Sequence, residues 1–212
     1  LDLSYNQDER DALWNNSGFS TPRNQQEMQR TSVGLTHDGR WDGFTTRARY
    51  YYENVDLEDN SELTVAANGG VIGDINQTNH TLDGQITSLL GSHLLTGGAE
   101  YRITELEHNL NLQGGDVKVD QSAAYLQDEI ALGDLNLTLS GRVDHHDVYG
   151  TEFSPRAYAV YNLTDNWVIK GGAGKAFKAP SIAQSDENYA VVACRGACVV
   201  TGNPDLKPET SV

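Results

Sequence analysis

Two groups of residues in this sequence have the types and spacing that metal binding or catalysis would need. Cys194 and Cys198 enclose three residues, a spacing that suits metal ligands, a redox pair or a disulfide. The run 144–147 reads Asp-His-His-Asp, and with Ser154 it offers the residue types of a metal site or a hydrolase triad. No His or further Cys accompanies the cysteine pair in its loop, which argues against zinc there.

The pattern around these residues argues against catalysis. Adjacent residues of a strand point to opposite faces, so His145 and His146 cannot both bind one ion from a regular strand. No nucleophile elbow surrounds Ser154. Glycines at 171, 172 and 174 imitate a nucleotide loop, but they lie inside a predicted strand that no helix follows. We therefore expect no enzyme, no catalytic residue, no metal site and no cofactor.

A third group suits binding. Arg47, Arg49 and Tyr51 share one face of a strand predicted over 43–55, and the opposite face is more apolar. Guanidinium groups attract anions and stack on aromatic rings, so this face could take part in ligand binding. If the strands form a barrel, the face would lie inside it, towards the external end if the predicted turn at 37–42 is periplasmic. The alternative is that these arginines pair with carboxylates of the wall.

Composition limits the class of protein. The 212 residues carry 15 Lys and Arg against 30 Asp and Glu, a net charge of −15, which argues against nucleic-acid binding. Hydrophobic residues make up 38%, and no apolar run approaches the roughly 18 residues of a transmembrane helix. A transmembrane β-barrel stays possible, because its strands alternate and its mean hydropathy is low.

Alternation with a period of two is the dominant pattern. It predicts an outer, apolar face with Leu95, Ala99, Tyr101, Leu137, Leu139, Ile169 and Ala173, and an inner, polar face with Glu100, Arg102, Arg142 and Lys170. It predicts eight complete strands and two partial ones; the complete ones are 27–37, 43–55, 78–89, 93–105, 119–131, 135–147, 154–163 and 166–178, and the partial ones are 1–6 and 207–212. Short turns are predicted at 37–42, 90–92, 132–134 and 163–166, with long polar loops at 7–26, 56–77, 106–118, 147–153 and 179–206. This rhythm and the length of the strands favour an outer-membrane barrel over a soluble sandwich.

Two motifs in the last third of the chain are more specific. They are Phe177, Lys178, Ala179, Pro180 and Ser181 at the end of one strand, then Gly202, Asn203, Leu206, Lys207, Glu209 and Ser211 opening the next. Together they resemble a signature of TonB-dependent outer-membrane receptors. The run 141–163, with Arg-x-Asp-His-His and a later Ser-Pro, is similar to the ferric enterobactin branch of that family, and the run 29–43 also resembles the family.

The resemblance implies fold and function. The family fold is a barrel of 22 strands filled by a plug domain, so residues 1–212 would supply about ten strands of an all-β, antiparallel transmembrane meander. We interpret the chain as a mid-barrel piece without the plug, the TonB box or the closing strand. The parent would be a receptor in the outer membrane of a Gram-negative bacterium. It would import a ferric siderophore, of the catecholate type, with energy delivered by TonB through the plug.

The resemblance also implies roles for particular residues. An iron–catecholate complex is aromatic and anionic, which suits Arg47, Arg49 and Tyr51, and the loop residues Trp14, Phe19, Arg23, Tyr189 and Arg195 are similar candidates. Because the cell surface is oxidising, a disulfide between Cys194 and Cys198 is favoured. Membrane lipid, lipopolysaccharide and docking colicins or phages are the other expected partners. A passive porin-like barrel and an outer-membrane hydrolase are the alternative functions.

Overall fold

A meander of nine antiparallel strands makes up most of the molecule. The computed structural model describes residues 2–15, 23–60, 68–193 and 198–212. The strands of the sheet follow one another in chain order from first to ninth, each hydrogen-bonded to its sequence neighbours. They are β1 (Asp2–Asn15), β2 (Arg23–Trp41), β3 (Phe44–Asp59), β4 (Gly73–Leu90), β5 (His93–His108), β6 (Asp116–Leu132), β7 (Leu135–His146), β8 (Gly150–Thr164) and β9 (Trp167–Gly174).

The remaining described elements are short and follow the sheet. They are β10 (Ala176–Lys178), the helix α1 (Ile182–Ser185), β11 (Ala190–Ala193), β12 (Cys198–Thr201) and β13 (Glu209–Ser211). β10 pairs with β13, and β11 pairs with β12 as a small hairpin. None of the helices in the described part of the chain is long and apolar enough to cross a membrane.

Short turns close one end of the sheet, as predicted. Two-residue turns stand at 42–43, 91–92, 133–134 and 165–166, and the other end carries the longer connections 60–72 and 109–115. Gly43, Gly91 and Gly133 have φ of 87°, 65° and 63°, a conformation that other residues adopt only with strain. The antiparallel meander and its hairpins are therefore confirmed.

The predicted turn at 37–42 was placed too early. Asp38 and Gly39 lie within β2, opposite Arg47 and Thr46, and the turn is at 42–43. Gly39 has a packing reason to be glycine there, because an added Cβ would come within 2.7 Å of the Trp41 ring nitrogen.

The strands also run further than predicted. β1 is a strand of 14 residues and not a stub at 1–6, and it pairs with β2 from Asp2↔Thr36 to Asn15↔Arg23. Likewise β4 begins at Gly73, β8 begins at Gly150, and β5 continues to His108. The prediction stopped where apolar alternation stops, whereas backbone pairing continues through polar residues at the end with the long connections.

The predicted strand 166–178 is divided in the structure. β9 ends at Gly174, and the Lys175 Nζ lies 2.9 Å from a Glu152 carboxylate oxygen. Its backbone N–H donates to the Pro155 carbonyl at 2.9 Å. β10 then pairs with β13, so Phe177 lies opposite Thr210. The break is thus a change of pairing partner, from β8 to β13.

The register separates the sheet into a polar face and an apolar face, because residues directly opposite in a ladder share a face. The polar face carries Arg49, Asp83, Glu100, Arg102, Arg142, Asp144 and Lys170. The apolar face carries Leu95, Ala99, Tyr101, Leu137, Leu139, Ile169 and Ala173. This is the predicted division. Contact of the apolar face with lipid stays a prediction.

The apolar face is exposed in the chain as it stands. Leu82, Leu126 and Ile169 are 56%, 60% and 56% exposed, and in the described residues only Leu112 and Ala123 are buried apolar side chains. At the short-turn end the Trp41 and Phe44 rings stack with centroids 6.1 Å apart. An apolar surface bordered by aromatic residues is typical of a sheet that faces lipid.

Candidate functional site

A cavity of about 940 Å³ lies between the polar face and the chain that follows β9. Its wall is the polar face of β4–β8, and its cover is the segment 176–189. The lining residues combine charge, polar groups and aromatic rings, and they include Glu100, Arg102, Arg142, Asp144, Phe177, Lys178 and Tyr189. A concave site with a few converging charges is the usual form of a ligand-binding site.

The wall of the cavity carries a network of charges centred on Arg142. The Arg142 Nε lies 2.8 Å from Asp144 Oδ1, and its Nη2 lies 3.5 Å from Glu100 Oε1. Arg102 Nη2 lies 3.6 Å from the same Glu100 oxygen. Both arginine side chains keep more than a third of their surface exposed. The guanidinium groups therefore have donors left for an anion in the cavity.

Ala123 makes this network possible. It lies directly between Glu100 and Asp144 in the ladder and is 8% exposed. Because its side chain is a single methyl group, the Arg142 side chain can reach across β6 to Glu100. A larger residue at this position would separate the two carboxylates from their shared guanidinium.

The cover of the cavity contributes a cation and aromatic rings. Phe177, Lys178 and Tyr189 all line it. Lys178 forms no ion pair within the part of the chain that the structure describes. The cavity therefore holds three cationic side chains against two carboxylates, together with two aromatic rings, a composition that suits an anionic aromatic ligand.

Local hydrogen bonds fix the shape of this cover. The Ser181 N–H donates to the Gln184 side chain at 2.9 Å and so begins α1, and the Asn203 N–H donates to the Gln184 carbonyl at 2.7 Å. Gly202 lies against the Asp186 backbone, where an added Cβ would clash with the Asp186 carbonyl oxygen. Gly202 and Asn203, the Gly-Asn pair of the second sequence motif, thus hold this segment in place through their backbone contacts.

The three predicted wall residues lie on the polar face but outside the cavity. Arg47 Nε is 2.6 Å from Asp38, Arg49 Nε is 3.0 Å from both Asp83 oxygens, and the Tyr51 hydroxyl donates to Glu53 at 3.2 Å. These pairs are the alternative that the sequence left open. Their contact with a ligand stays a prediction.

The position of these residues along the strand corrects the sequence interpretation. Arg47 and Arg49 stand three and five residues beyond Phe44, the first residue after a short turn. At about 3.3 Å per residue they lie roughly 10–17 Å from that turn. We had expected these two residues towards the end with the long connections. They lie instead towards the short-turn end.

The predicted loop residues have different outcomes. Tyr189 lines the cavity and meets the His108 ring edge-on, with centroids 5.7 Å apart. Trp14 and Arg23 lie at the ends of β1 and β2 that meet the long connection. Phe19 and Arg195 lie outside the described residues.

The cysteine prediction is only partly covered by the described chain. Cys198 begins β12, whereas Cys194 lies outside the described residues. Their pairing stays a prediction.

The Asp-His-His-Asp run forms neither of the reactive arrangements considered. His145 and His146 point to opposite faces: His145 Nδ1 is 3.0 Å from the Thr151 hydroxyl, and His146 Nδ1 accepts the Val148 N–H at 3.2 Å. Ser154 lies opposite Arg142 and His146 lies opposite Gly150, four residues away along β8, which is about 13 Å. The described residues contain no group of three or more metal-ligand side chains that could hold an ion.

The sequence alone did not identify the cavity residues as a set. Glu100, Arg102 and Arg142 were assigned to the inner face but not to a ligand site. Glu100 and Arg142 are 42 positions apart, and only the register of β5, β6 and β7 brings them together. The one usable signal was the motif at Phe177 and Lys178.

The family model and the curated proteins that this chain matches agree with each other. Residues 1–212 match the family model described as "TonB dependent receptor-like, beta-barrel". The chain is 30% identical over 190 residues to the iron-regulated outer membrane virulence protein of Vibrio cholerae, with 88% of this chain and 27% of that protein covered. It is 28% identical to the ferrienterobactin receptor of Escherichia coli, with 87% and 30% covered. The chain thus spans under a third of the length of these relatives.

Solved structures show the same fold. The siderophore receptor PirA from Pseudomonas aeruginosa superposes with a TM-score of 0.78 at 24% identity, covering 98% of this chain and 41% of that one. The ferric enterobactin receptor of the same organism superposes with a TM-score of 0.75 at 22% identity, covering 87% and 32%. At these identities the likeness supports the barrel fold and no particular ligand.

Proposed function

Because the chain belongs to the TonB-dependent receptor β-barrel family, we propose that it forms part of an outer-membrane receptor that imports a ferric siderophore of the catecholate type. The observation that carries this proposal is the cavity on the polar face, where Arg102, Arg142 and Lys178 stand with Phe177 and Tyr189. The work of the site is binding, and no bond is made or broken in it. The iron is cargo.

The chemistry of the cavity fits this ligand class. Ferric catecholates present aromatic rings around an anionic centre, so they need positive charge and ring contacts together. Arginine supplies both, through charge-assisted hydrogen bonds and stacking. Relatives named as ferric enterobactin receptors in Pseudomonas aeruginosa and Escherichia coli support the choice of catecholate over other chelates.

Release of the ligand would need the rest of the receptor. We infer that TonB acts on a plug domain inside the barrel and so moves the ligand inward, as expected for this family. The apolar face would contact membrane lipid and lipopolysaccharide, and external loops could also serve colicins or phages as docking sites. A passive porin is less consistent with the structure, because the segment 176–189 covers the polar face where an open channel would be needed.

Growth rescue tests the proposed function. The full-length gene is expressed in an iron-starved strain that lacks its own siderophore receptors, and single ferric siderophores are supplied. We expect rescue by ferric enterobactin and not by a hydroxamate chelate. Rescue by the hydroxamate alone would reject the catecholate assignment, and unaided entry of small sugars without TonB would favour the porin.

A matched pair of variants links the rescue to the cavity. Arg102→Gln removes one positive charge from the polar face inside the cavity. Lys118→Gln removes the same charge from the apolar face, where Lys118 Nζ lies 3.4 Å from Glu105. We expect Arg102→Gln to weaken ferric enterobactin binding about tenfold, since one charged contact contributes on the order of 1–3 kcal/mol. The Lys118→Gln receptor should bind as the wild type does.

A further inference from the structure

The β5–β6 connection, residues 109–115, holds the segment that covers the cavity. Leu112 and Tyr189 form an isolated antiparallel bridge. On either side of this bridge the Ala190 N–H donates to the Asn111 carbonyl at 2.6 Å, and the Gln113 N–H donates to the Asn188 carbonyl at 2.9 Å. We call the two facing segments, 111–113 and 188–190, the clasp.

Two buried side chains stabilise the clasp. Leu112 is 5% exposed and His108 is 4% exposed, the lowest values among the side chains that the structure describes. The His108 Nδ1 accepts the backbone N–H groups of Leu110 and Asn111 at 3.3 and 3.4 Å, and its ring meets Tyr189 edge-on. Because few of the described side chains are buried, this burial marks a packed contact and not a chance approach of two loops.

The clasp is fixed to the wall on its other side. Asn109 bonds to the beginning of β4: its Oδ1 accepts the Asp74 N–H at 2.8 Å, and its Nδ2 donates to the Ile72 carbonyl at 2.9 Å. The Asn109 N–H also donates to the Asp74 carbonyl at 3.2 Å. The connection is thus part of a continuous run of hydrogen bonds from the wall to the cover.

Tyr189 transmits the contact to the cavity. Its side chain lines the cavity, its N–H donates to the Asp186 carbonyl, and its carbonyl accepts the Gly202 N–H, both at 3.0 Å. Leu112 and His108 are not among the lining residues. Any effect of these two residues on the ligand must therefore pass through the position of the cover.

We propose that the clasp is a positioning element, which holds the segment 176–189 against the wall before the ligand arrives and so preorganises the cavity. This inference rests on the proposed function of the cavity. A cover that is ordered only on binding costs affinity, whereas a cover that is already held does not. Leu112 and His108 are positioning residues in this sense and make no contact with the ligand.

The neutral state of His108 belongs to this arrangement. β5 has 16 residues, and about 9–11 tilted residues cross a membrane, so His108 at its far end lies beyond the spanning part. Burial lowers the pKa of the His108 imidazole, although Asn109, Asp59 and Asp74 act in the opposite direction. The neutral Nδ1 can accept two N–H groups, which a protonated Nδ1 cannot do.

The test uses the full-length receptor in detergent with ferric enterobactin as the probe. Leu112→Ala removes the buried anchor, and Ala190→Pro removes the N–H that donates to Asn111. Because Ala190 lies in the clasp, directly after the cover, and outside the nine-stranded sheet, we expect this second variant to leave the barrel intact. Val148→Ala is the control, since Val148 is an exposed residue of another connection.

Two readouts are measured on each variant. Amide exchange of the peptides covering 109–116 and 186–193 reports whether the clasp is closed, with no ligand present. Fluorescence quenching by ferric enterobactin reports affinity. We expect both clasp variants to exchange at least tenfold faster in these peptides and to bind at least tenfold more weakly. The control should change neither the amide exchange nor the affinity. Leu112→Met, which keeps a large apolar side chain at this position, should bind within about threefold of the wild type.

The outcomes separate the two proposals. Faster exchange with unchanged affinity would overturn the positioning role, and so would unchanged exchange in both clasp variants. If the wild-type receptor itself does not bind ferric enterobactin but binds another chelate, the proposed ligand class fails. The clasp is then judged by the same comparison with that chelate as the probe.

Discussion

The charge balance of the cavity predicts how single substitutions change its affinity for ferric enterobactin. The cavity is lined by the cations Arg102, Arg142 and Lys178 and by the carboxylates Glu100 and Asp144, so it has a net charge of +1 when histidine is counted as neutral. Arg142→Gln lowers this net charge to zero, and Asp144→Asn raises it to +2. The double variant returns it to +1 with a different arrangement of groups. We predict that affinity for ferric enterobactin follows the net charge.

Coulomb's law sets the size of the effect. A unit charge about 7 Å from one ligand charge, at an effective dielectric constant of about 40, contributes about 1.2 kcal/mol. This corresponds to roughly five- to tenfold in affinity for each charge changed. Arg142→Gln should therefore weaken binding by at least this factor, Asp144→Asn should strengthen it, and the double variant should lie within about threefold of the wild type.

Stability needs a separate measurement, because Arg142 also neutralises a buried carboxylate. Asp144 is 8% exposed, and its closest cation is the Arg142 guanidinium at 2.8 Å. Leaving this carboxylate unpaired should destabilise the barrel by about 1–3 kcal/mol. Asp144→Asn in the same chain should recover most of that loss. Thermal unfolding in detergent, followed by the loss of heat-modifiable mobility on gels, measures it.

The affinity series should be repeated at two salt concentrations. A long-range charge effect weakens as salt rises from 50 to 500 mM, since the screening length shortens accordingly. If the double variant binds as weakly as Arg142→Gln at both concentrations, the Arg142 guanidinium contacts the ligand directly and the net-charge reasoning is refuted. If none of the variants alters affinity, the cavity is not the binding site.

Three further predictions concern the membrane face, the cysteines and pH. Leu139→Arg should destabilise insertion into the outer membrane by about 2–4 kcal/mol, because Leu139 lies on the apolar face in the middle third of β7, whereas Ser140→Arg on the polar face should assemble normally; equal yields in outer-membrane fractions would contradict the assignment of faces. Cys194 and Cys198 should be disulfide-bonded, so the intact mass should rise by two hydrogen atoms on treatment with a reductant, and alkylation of both thiols without reductant would reject the bond. Because the folded-state pKa of His108 is lowered, the clasp should be complete above about pH 6.5 and weaken as the pH falls below that value; limited proteolysis at pH 7.5 and 5.5 should show this change, and His108→Asn should abolish it.

Local pattern was sufficient to predict most of the sheet. Alternation at Leu95 to Ile103 and at Leu135 to Val143 predicted strands and their two faces, because successive side chains of a strand point to opposite sides whatever surrounds them. Gly91 and Gly133 indicated the turns at 91–92 and 133–134, because glycine adopts positive φ without strain. These properties depend on neighbours within a few residues, and so a single sequence contains them.

Strand ends were less predictable for the same reason. β1 extends to Asn15 although residues 7–15 are largely polar, since its backbone groups pair with β2 regardless of the side chains. Outside the membrane both faces of a strand can meet water, so the apolar alternation disappears while the ladder continues. The early placement of the first short turn has a related cause: Asp-Gly occurs both at 38–39 and at 42–43, and only cross-strand pairing decides between them.

The binding site and its clasp depended on tertiary structure alone. Arg142 meets Glu100 because Ala123 leaves room across β6, and Leu112 meets Tyr189 across 77 positions of the chain. Neither contact has a local sequence signature, because each requires the register of several strands and the folding of the segment after β9 over the polar face. The sequence by itself determined that this chain makes a two-faced antiparallel sheet and pointed to its family. Long-range pairing decided which charged residues share the cavity and which residues hold its cover. The energy of these contacts depends on the distance between residues in the folded protein, and the number of positions between them in the sequence does not specify that distance.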